Sequence, residues 1–167
     1  MSITVIKAGT QTTVQDLGRP GFAHLGISAS GAADAFSFRI GNQLVGNEPN
    51  TAALEITLTG GEYELGSNAV IAISGSAFDA SIDDQPITNW NGYKIQKGQC
   101  LRINSSHDGA RCYVCVQGGF DISPLLSSRS THLITGLGGF GGRTLRKGDV
   151  LELGHASESQ CANMNNV

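Results

Sequence analysis

The sequence predicts a mainly β fold, a barrel or sandwich with one main α-helix, and three observations carry that prediction. Short apolar or alternating runs rich in β-branched residues recur along the chain, turn-forming residues separate them at high density, and one stretch alone shows helical spacing. Taken in order, the N-terminal run of residues 1–16 alternates as a strand and then turns. From residue 30 to residue 45, Ala33, Phe36, Ile40 and Leu44 recur at three- and four-residue steps, which predicts an amphipathic helix over about 31–45. Ser30 is placed to cap it, Asp34 falls in its first turn, where the helix dipole favours a negative charge, and Gly46-Asn47 supplies the stop. Strands follow at residues 53–58, 69–73, 100–103, 112–116 and 150–153. Turns such as Thr59-Gly60-Gly61, Asp83-Asp84-Gln85-Pro86, Asn91-Gly92, Lys97-Gly98 and Lys147-Gly148-Asp149 separate them. Residues 1–155 read as one domain and residues 156–167 as a polar, aperiodic tail expected to be disordered.

Composition narrows the function. The 167 residues carry 11 basic and 14 acidic side chains, net charge -3, with no basic run longer than Arg146-Lys147, so there is no electrostatic footprint for nucleic acid. The 23 glycines show no collagen period and serve turns and close backbone approaches. No apolar run approaches the ~18 residues that span a membrane, and the N-terminus lacks the charged start and apolar core of a signal peptide; the expected location is cytoplasmic. Cys100, Cys112, Cys115 and Cys161 are then reduced thiols that pack as small hydrophobes.

Several motifs fail on geometry. Cys112 and Cys115 have C-x-x-C spacing but sit in a strand, where residues three apart face opposite ways and cannot share a metal or a disulfide. Residues 136–141 match G-x-G-x-x-G without a helical pattern after them, which rules out a dinucleotide site. That loop is either a surface turn or a point where another backbone or a ligand comes close. His24, His107, His132 and His155 are scattered, and Asp79, Asp83 and Asp84 read as strand edge plus turn, so no metal site is expected.

Two segments hold more promise. Residues 12–34 are polar and glycine-dense and feed the helix N-terminus, whose unpaired amides suit an anion. Ser127-Ser128-Arg129-Ser130-Thr131 sets hydroxyls around a guanidinium fork. Capped turns would explain both equally well.

These segments also carry a resemblance. TTVQDLGRPGFAHLGISASGAAD, NQLVGN, ALEIT, KGQCLRI, VQGGFD, SRST and GLGGFGGRTLRKGD follow one another over nearly all of residues 5–153. In that order they resemble the family of biotin-dependent carboxyltransferase domains that includes KipA, the second allophanate hydrolase component and the 5-oxoprolinase C subunit. The resemblance implies a cyclophilin-like β-barrel. It also implies one of three roles: part of an ATP-dependent 5-oxoprolinase, carboxyltransferase half of a biotin-dependent urea carboxylase / allophanate hydrolase system, or a non-catalytic KipA-type regulator of an antikinase. The implied partners are a KipI-like protein and a LamB/YcsF-like protein of the same complex. ATP enters in the complex, and biotin, under the second role, rides on another chain. Family members usually continue into a second, related barrel, so half the usual active-site wall is expected to be absent here, along with independent activity. The candidate catalytic groups are Asp16, Asp34 and Glu55; the candidate substrate- and anion-binding groups are Gln15, Arg19, Ser30, Arg129 and Ser130.

Overall fold

Period-2 alternation organises the molecule into two apolar layers on either side of one curled sheet. The computed structural model describes residues 1–155, and the tail and Cys161 lie outside the described residues. Its elements are β1 (Ser2–Lys7), β2 (Gln11–Gln15), a 3-10 turn (Ala23–Leu25), α1 (Ala35–Leu44), β3 (Ala53–Thr57), β4 (Glu62–Leu65), β5 (Ala69–Ile82), β6 (Gln85–Ile87), β7 (Gly92–Ile95), β8 (Cys100–Val116) and β9 (Val150–Glu152). All named strands pair antiparallel. The long strand β8 is central: β5 lies along one edge, from Ile71↔Val116 to Ile82↔Leu101, while β3 and then β4 share the other. β2 continues outward from β3, β1 from β4, and β9 closes on β1, so bent ribbons curl into a half-barrel. The mainly β fold with one α-helix agrees with the sequence reading. Among the described residues no helix is long and apolar enough to cross a membrane.

The concave core holds Leu54 and Ile56 of β3, Ile71 and Ile73 of β5, and Cys112, Val114 and Val116 of β8. Their neighbours Ala53, Ala72, Tyr113 and Cys115 point the other way, toward Phe38 and Val45 of the helix layer. Cys112 and Cys115 therefore occupy opposite faces, as the strand reading requires. Burial pushes both thiols well above the ordinary range, which leaves them inert packing groups.

The helix differs from expectation in where it begins and in which face it buries. It starts at Ala35, because Ser30 (φ +53°) and Gly31 (φ +95°) have left-handed backbones that cannot enter a helix. The cap is Asp34, whose Oδ1 accepts from the amides of Phe36 and Ser37 at 3.1 Å each, and not Ser30. The buried seam is Ser37, Phe38, Gly41 and Asn42, whereas Phe36 is 73% exposed. Close approach is the reason: a Cβ at Gly41 would lie 2.3 Å from Ser74 Oγ and 2.8 Å from Cys115 Sγ, so small and polar residues define the contact. Ser74 Oγ donates to the Ser37 carbonyl at 2.8 Å, and the Phe38 and Tyr113 rings meet edge to face at 5.5 Å.

Gly41→Leu should therefore lift α1 off the sheet. Urea denaturation is expected to show a loss of about 1–3 kcal/mol, larger than any helix-propensity gain from replacing glycine.

Candidate functional site

Strand β2 delivers Gln15 at its end and Asp16 just beyond, and the chain folds back there because Gly18 (φ +90°) leaves no room for a side chain against the carbonyls of Ala29 and Ser30. Asp16 is 1% exposed. Its Oδ1 accepts from the Gly18 amide and the Ser128 hydroxyl, both at 2.7 Å, and its Oδ2 accepts from the Arg129 amide at 2.5 Å. Ser128 Oγ lies 2.7 Å from Ser130 Oγ and accepts from the Ser130 amide. Arg19, equally buried, donates from Nε to the Leu125 carbonyl, from Nη1 to Ser30 Oγ and from Nη2 to the Ser130 carbonyl. Gln15 donates to Thr13 Oγ1 and to the Thr131 carbonyl, and its Oε1 is buried without a partner among the described residues. Gln15, Asp16, Arg19, Ser30, Arg129 and Ser130 thus converge from three separate segments. Ser30, Leu126 and Ser127 all have positive φ there, so the knot holds backbone that isolated turns would avoid.

Glu55 and Asp34 form a second group on the helix face of the sheet. Register places Glu55 opposite Tyr113. Glu55 Oε2 accepts from the Tyr113 hydroxyl at 3.0 Å and from the Ala33 amide at 2.8 Å, and Arg111 Nε stands 3.6 Å from Oε1. The Tyr113 hydroxyl in turn accepts from the Asp34 amide at 2.8 Å. Burial, reinforced by the Glu55 charge, pushes the Tyr113 phenol up, so it stays a donor. The Asp34 carboxyl is held below the usual carboxylate range, first by the Ser37 hydroxyl and then by the Ser37 and Phe36 amides. A backbone hydrogen bond joins the two groups: the Ala32 amide donates to the Asp16 carbonyl.

Chemically these groups are unequal. The carboxylates of Asp16 and Asp34 already accept several donors, which suits them to holding loops and a helix end. Arg129 differs: its Nε donates to the Ile122 carbonyl at 2.8 Å, and its two Nη groups have no partner among the described residues. Its side chain borders a cavity of about 330 Å³ shared with Asn50, Thr51, Glu48 and Asp121. The glycine-rich loop resolves in favour of close approach. A Cβ at Gly138 would lie 2.5 Å from Arg19 Nη2, one at Gly139 1.8 Å from Thr131 Oγ1, and the Gly142 amide returns to the Gly138 carbonyl. That loop packs on its own chain at Gly138, Gly139 and Gly142. No group of three or more metal-ligating side chains occurs among the described residues.

Sequence reasoning does not single out Ser128 or Tyr113 as site residues. Ser128 is visible within the hydroxyl cluster, but its partner Asp16 is 112 residues away, and nothing local announces that pairing.

Comparison with known proteins gives a consistent result. The family described as "Carboxyltransferase domain, subdomain A and B" matches residues 25–166. The chain is 42% identical over 154 residues to the C subunit of 5-oxoprolinase from Escherichia coli (strain K12), covering 91% of this chain and 49% of that protein. It is 40% identical over 150 residues to urea amidolyase of Lachancea kluyveri, covering 89% of this chain and 8% of that protein. Among solved structures, the urea amidolyase of K. lactis superimposes with a TM-score of 0.90 at 37% identity, covering 91% of this chain and 9% of that one. The chain thus spans about half the length of the 5-oxoprolinase component and less than a tenth of these two amidolyases.

Two outcomes follow from the geometry. Asp16→Ala leaves the Ser128 hydroxyl and the Gly18 and Arg129 amides without their acceptor, and should cost about 2–4 kcal/mol in chemical denaturation. The second outcome concerns acid. The folded Asp34 carboxyl titrates below its unfolded value of about 3.9, so its contribution is complete above that value and is lost as pH falls through the folded value. Asp149, lowered chiefly by its hydrogen bond to Arg143, behaves alike. Urea midpoints measured from about pH 6 to about pH 2.5 should fall below about pH 4, and the fall should be shallower in Asp34→Asn, whose side chain still caps α1.

Proposed function

Because the chain belongs to the family of carboxyltransferase domains, subdomains A and B, we propose that it forms part of a multi-component, ATP-dependent 5-oxoprolinase-type amidohydrolase that opens a small cyclic amide. The observation that carries this reading is the 42% identity to a 5-oxoprolinase component across 91% of the chain. A lactam is resonance-stabilised and resists water, so its hydrolysis needs an energy source and a held substrate. ATP supplies the first within the assembled complex, where this reading assigns it to a partner protein. For the second, Arg129 offers the chemistry a carboxylate-bearing substrate needs: a planar fork, fixed at Nε, whose Nη groups have no partner among the described residues, beside a cavity. Asp16, itself held by Ser128, fixes the Arg129 backbone, the Ile122 carbonyl fixes the fork, and the knot around Arg19 keeps Ser30 and Ser130 in register. Glu55, backed by Tyr113 and Arg111, is the candidate proton-handling carboxylate. The partners are a KipI-like protein and a LamB/YcsF-like protein, and turnover requires them.

A second reading rests on the superposition with urea amidolyase at a TM-score of 0.90. There the same fork would orient a urea-like amide for carboxyl transfer from biotin carried on another chain.

The test is co-expression of this chain with its KipI-like and LamB/YcsF-like partners and assay of ATP-dependent glutamate release from 5-oxoproline. Arg129→Ala should lower kcat/KM about 10- to 100-fold, with Arg129→Lys recovering only part, because a point charge replaces a fork. Full turnover by Arg129→Ala would remove Arg129 from the substrate. Inhibition by avidin with a urea-type substrate, and no glutamate release, would favour carboxyl transfer.

A further inference from the structure

Strand β5 is fourteen residues long, yet one of its edges is paired only at the two ends. β7 covers residues 69–72 and β6 covers residues 80–82, which leaves residues 73–79 without a strand on that side among the described residues. The connection between β6 and β7 touches the gap at two points: the Trp90 amide donates to the Ile73 carbonyl, and Asn89 Nδ2 donates to the Ser76 carbonyl, each at 2.7 Å. At Ser76 a side-chain amide stands where a strand backbone would, and its own Oδ1 is enclosed without a donor among the described residues. An unpaired sheet edge of this kind is a template for another extended chain.

The space over the gap is shaped for an occupant. A cavity of about 910 Å³, much larger than the one at Arg129, lies there. On its far side β8 bulges: between the Gly75↔Cys112 and Ala80↔Ile103 pairs, β8 takes nine steps to five along β5. The bulge brings Asn104 and Asp108 to the cavity wall, and neither side chain has a partner among the described residues. Asp79 also faces the cavity and meets His107 at 2.7 Å, while Asp34 contributes its charge from the helix cap. Among the described residues no lysine or arginine lines the space. Trp90 is on its wall, 41% exposed and with a left-handed backbone (φ +67°).

Backbone donors and acceptors, the Asp108 carboxylate and an aromatic ring, with no cation on the wall to oppose them, together complement a basic strand. We infer that this gap is a strand-addition site for an extended, lysine- or arginine-bearing polypeptide segment of a partner. Its backbone pairs with β5 around residues 76–79, and its basic side chains meet Asp108 and the Trp90 ring. Asn89 keeps the edge occupied until that segment arrives. The site does not use Arg129 or the Asp16 knot, and it meets the Glu55 group only through Asp34, whose amide donates to Tyr113.

Trp90 is the sole tryptophan in the sequence, so its fluorescence reports on the site directly. The full chain is titrated with a blocked heptapeptide of alternating lysine and valine. A saturable change in Trp90 emission is expected, weakened about tenfold in Asp108→Lys and weakened by salt. The same peptide with N-methylated backbone amides should fail to bind, and hydrogen exchange at residues 76–79 should slow on binding. Asp108 is exposed, so the variant keeps its fold, which a melting curve verifies. Absence of a saturable change overturns the inference, as does equal binding by a glutamate–valine peptide or by the N-methylated peptide. A response of the same size to free arginine would overturn it too, in favour of a small-cation pocket.

Discussion

The buried carboxylate of Asp16 is the constraint on which the packing of the long loops beside β2 depends. It has little access to water, so it must find its donors within the protein, and it finds them in its own turn (Gly18) and in a segment more than a hundred residues away (Ser128, Arg129). That requirement closes the loop after β2 onto the loop after β8. Arg19 then ties the same two loops through carbonyls of Leu125 and Ser130, and at Gly138 (φ +66°) a side chain would collide with the Ser130 carbonyl and with that guanidinium. A buried charge on each side, satisfied by neutral groups and not left bare, makes breaking the knot costly and fixes its geometry.

The knot matters because of what it leaves free. Asp16 takes the backbone amide of Arg129, Ile122 takes its Nε, and the residue lines a cavity with one end of its guanidinium already fixed. Positioning of this sort lowers the side-chain entropy that Arg129 would lose on meeting a ligand. The positive-φ residues Leu126 and Ser127, immediately before Ser128, mark the strain accepted to aim that segment.

The helix face works differently. α1 sits close to the sheet through Gly41 and Ser74, and this closeness lets the Asp34 and Ala33 amides reach Tyr113 and Glu55. Two segments that are remote in the chain are thereby joined through one phenol. Beyond Ser37 the same outer face runs into the uncovered edge of β5, where the bulge of β8 replaces regular pairing with a cavity. The Arg129 cavity and the cavity over β5 thus lie at different parts of one curled sheet.

Much of this is legible from the chain. Alternation is a local property, so the strands, the turns and the opposed faces of Cys112 and Cys115 can be read directly, and a run of ordered motifs points to the family. The grouping of Gln15, Asp16, Arg19, Ser30, Arg129 and Ser130 also proves spatial, although only their polarity is visible in the sequence. Hydrophobic period misplaces the helix seam, because it assumes that the largest apolar side chains face inward. Here contact distance selects Gly41 and Asn42 instead and leaves Phe36 outside. Left-handed Ser30 shifts the cap to Asp34 for a similarly non-local reason, the fold-back of residues 16–32. The sequence by itself determined which residues alternate, turn and carry charge. Only the tertiary structure decided which donor Asp16 would find and, among the described residues, which Arg129 groups stay unpartnered and which edge of β5 stays open. Those outcomes depend on register and on contacts between segments more than a hundred residues apart, such as Asp16 and Ser128, and no local pattern encodes them.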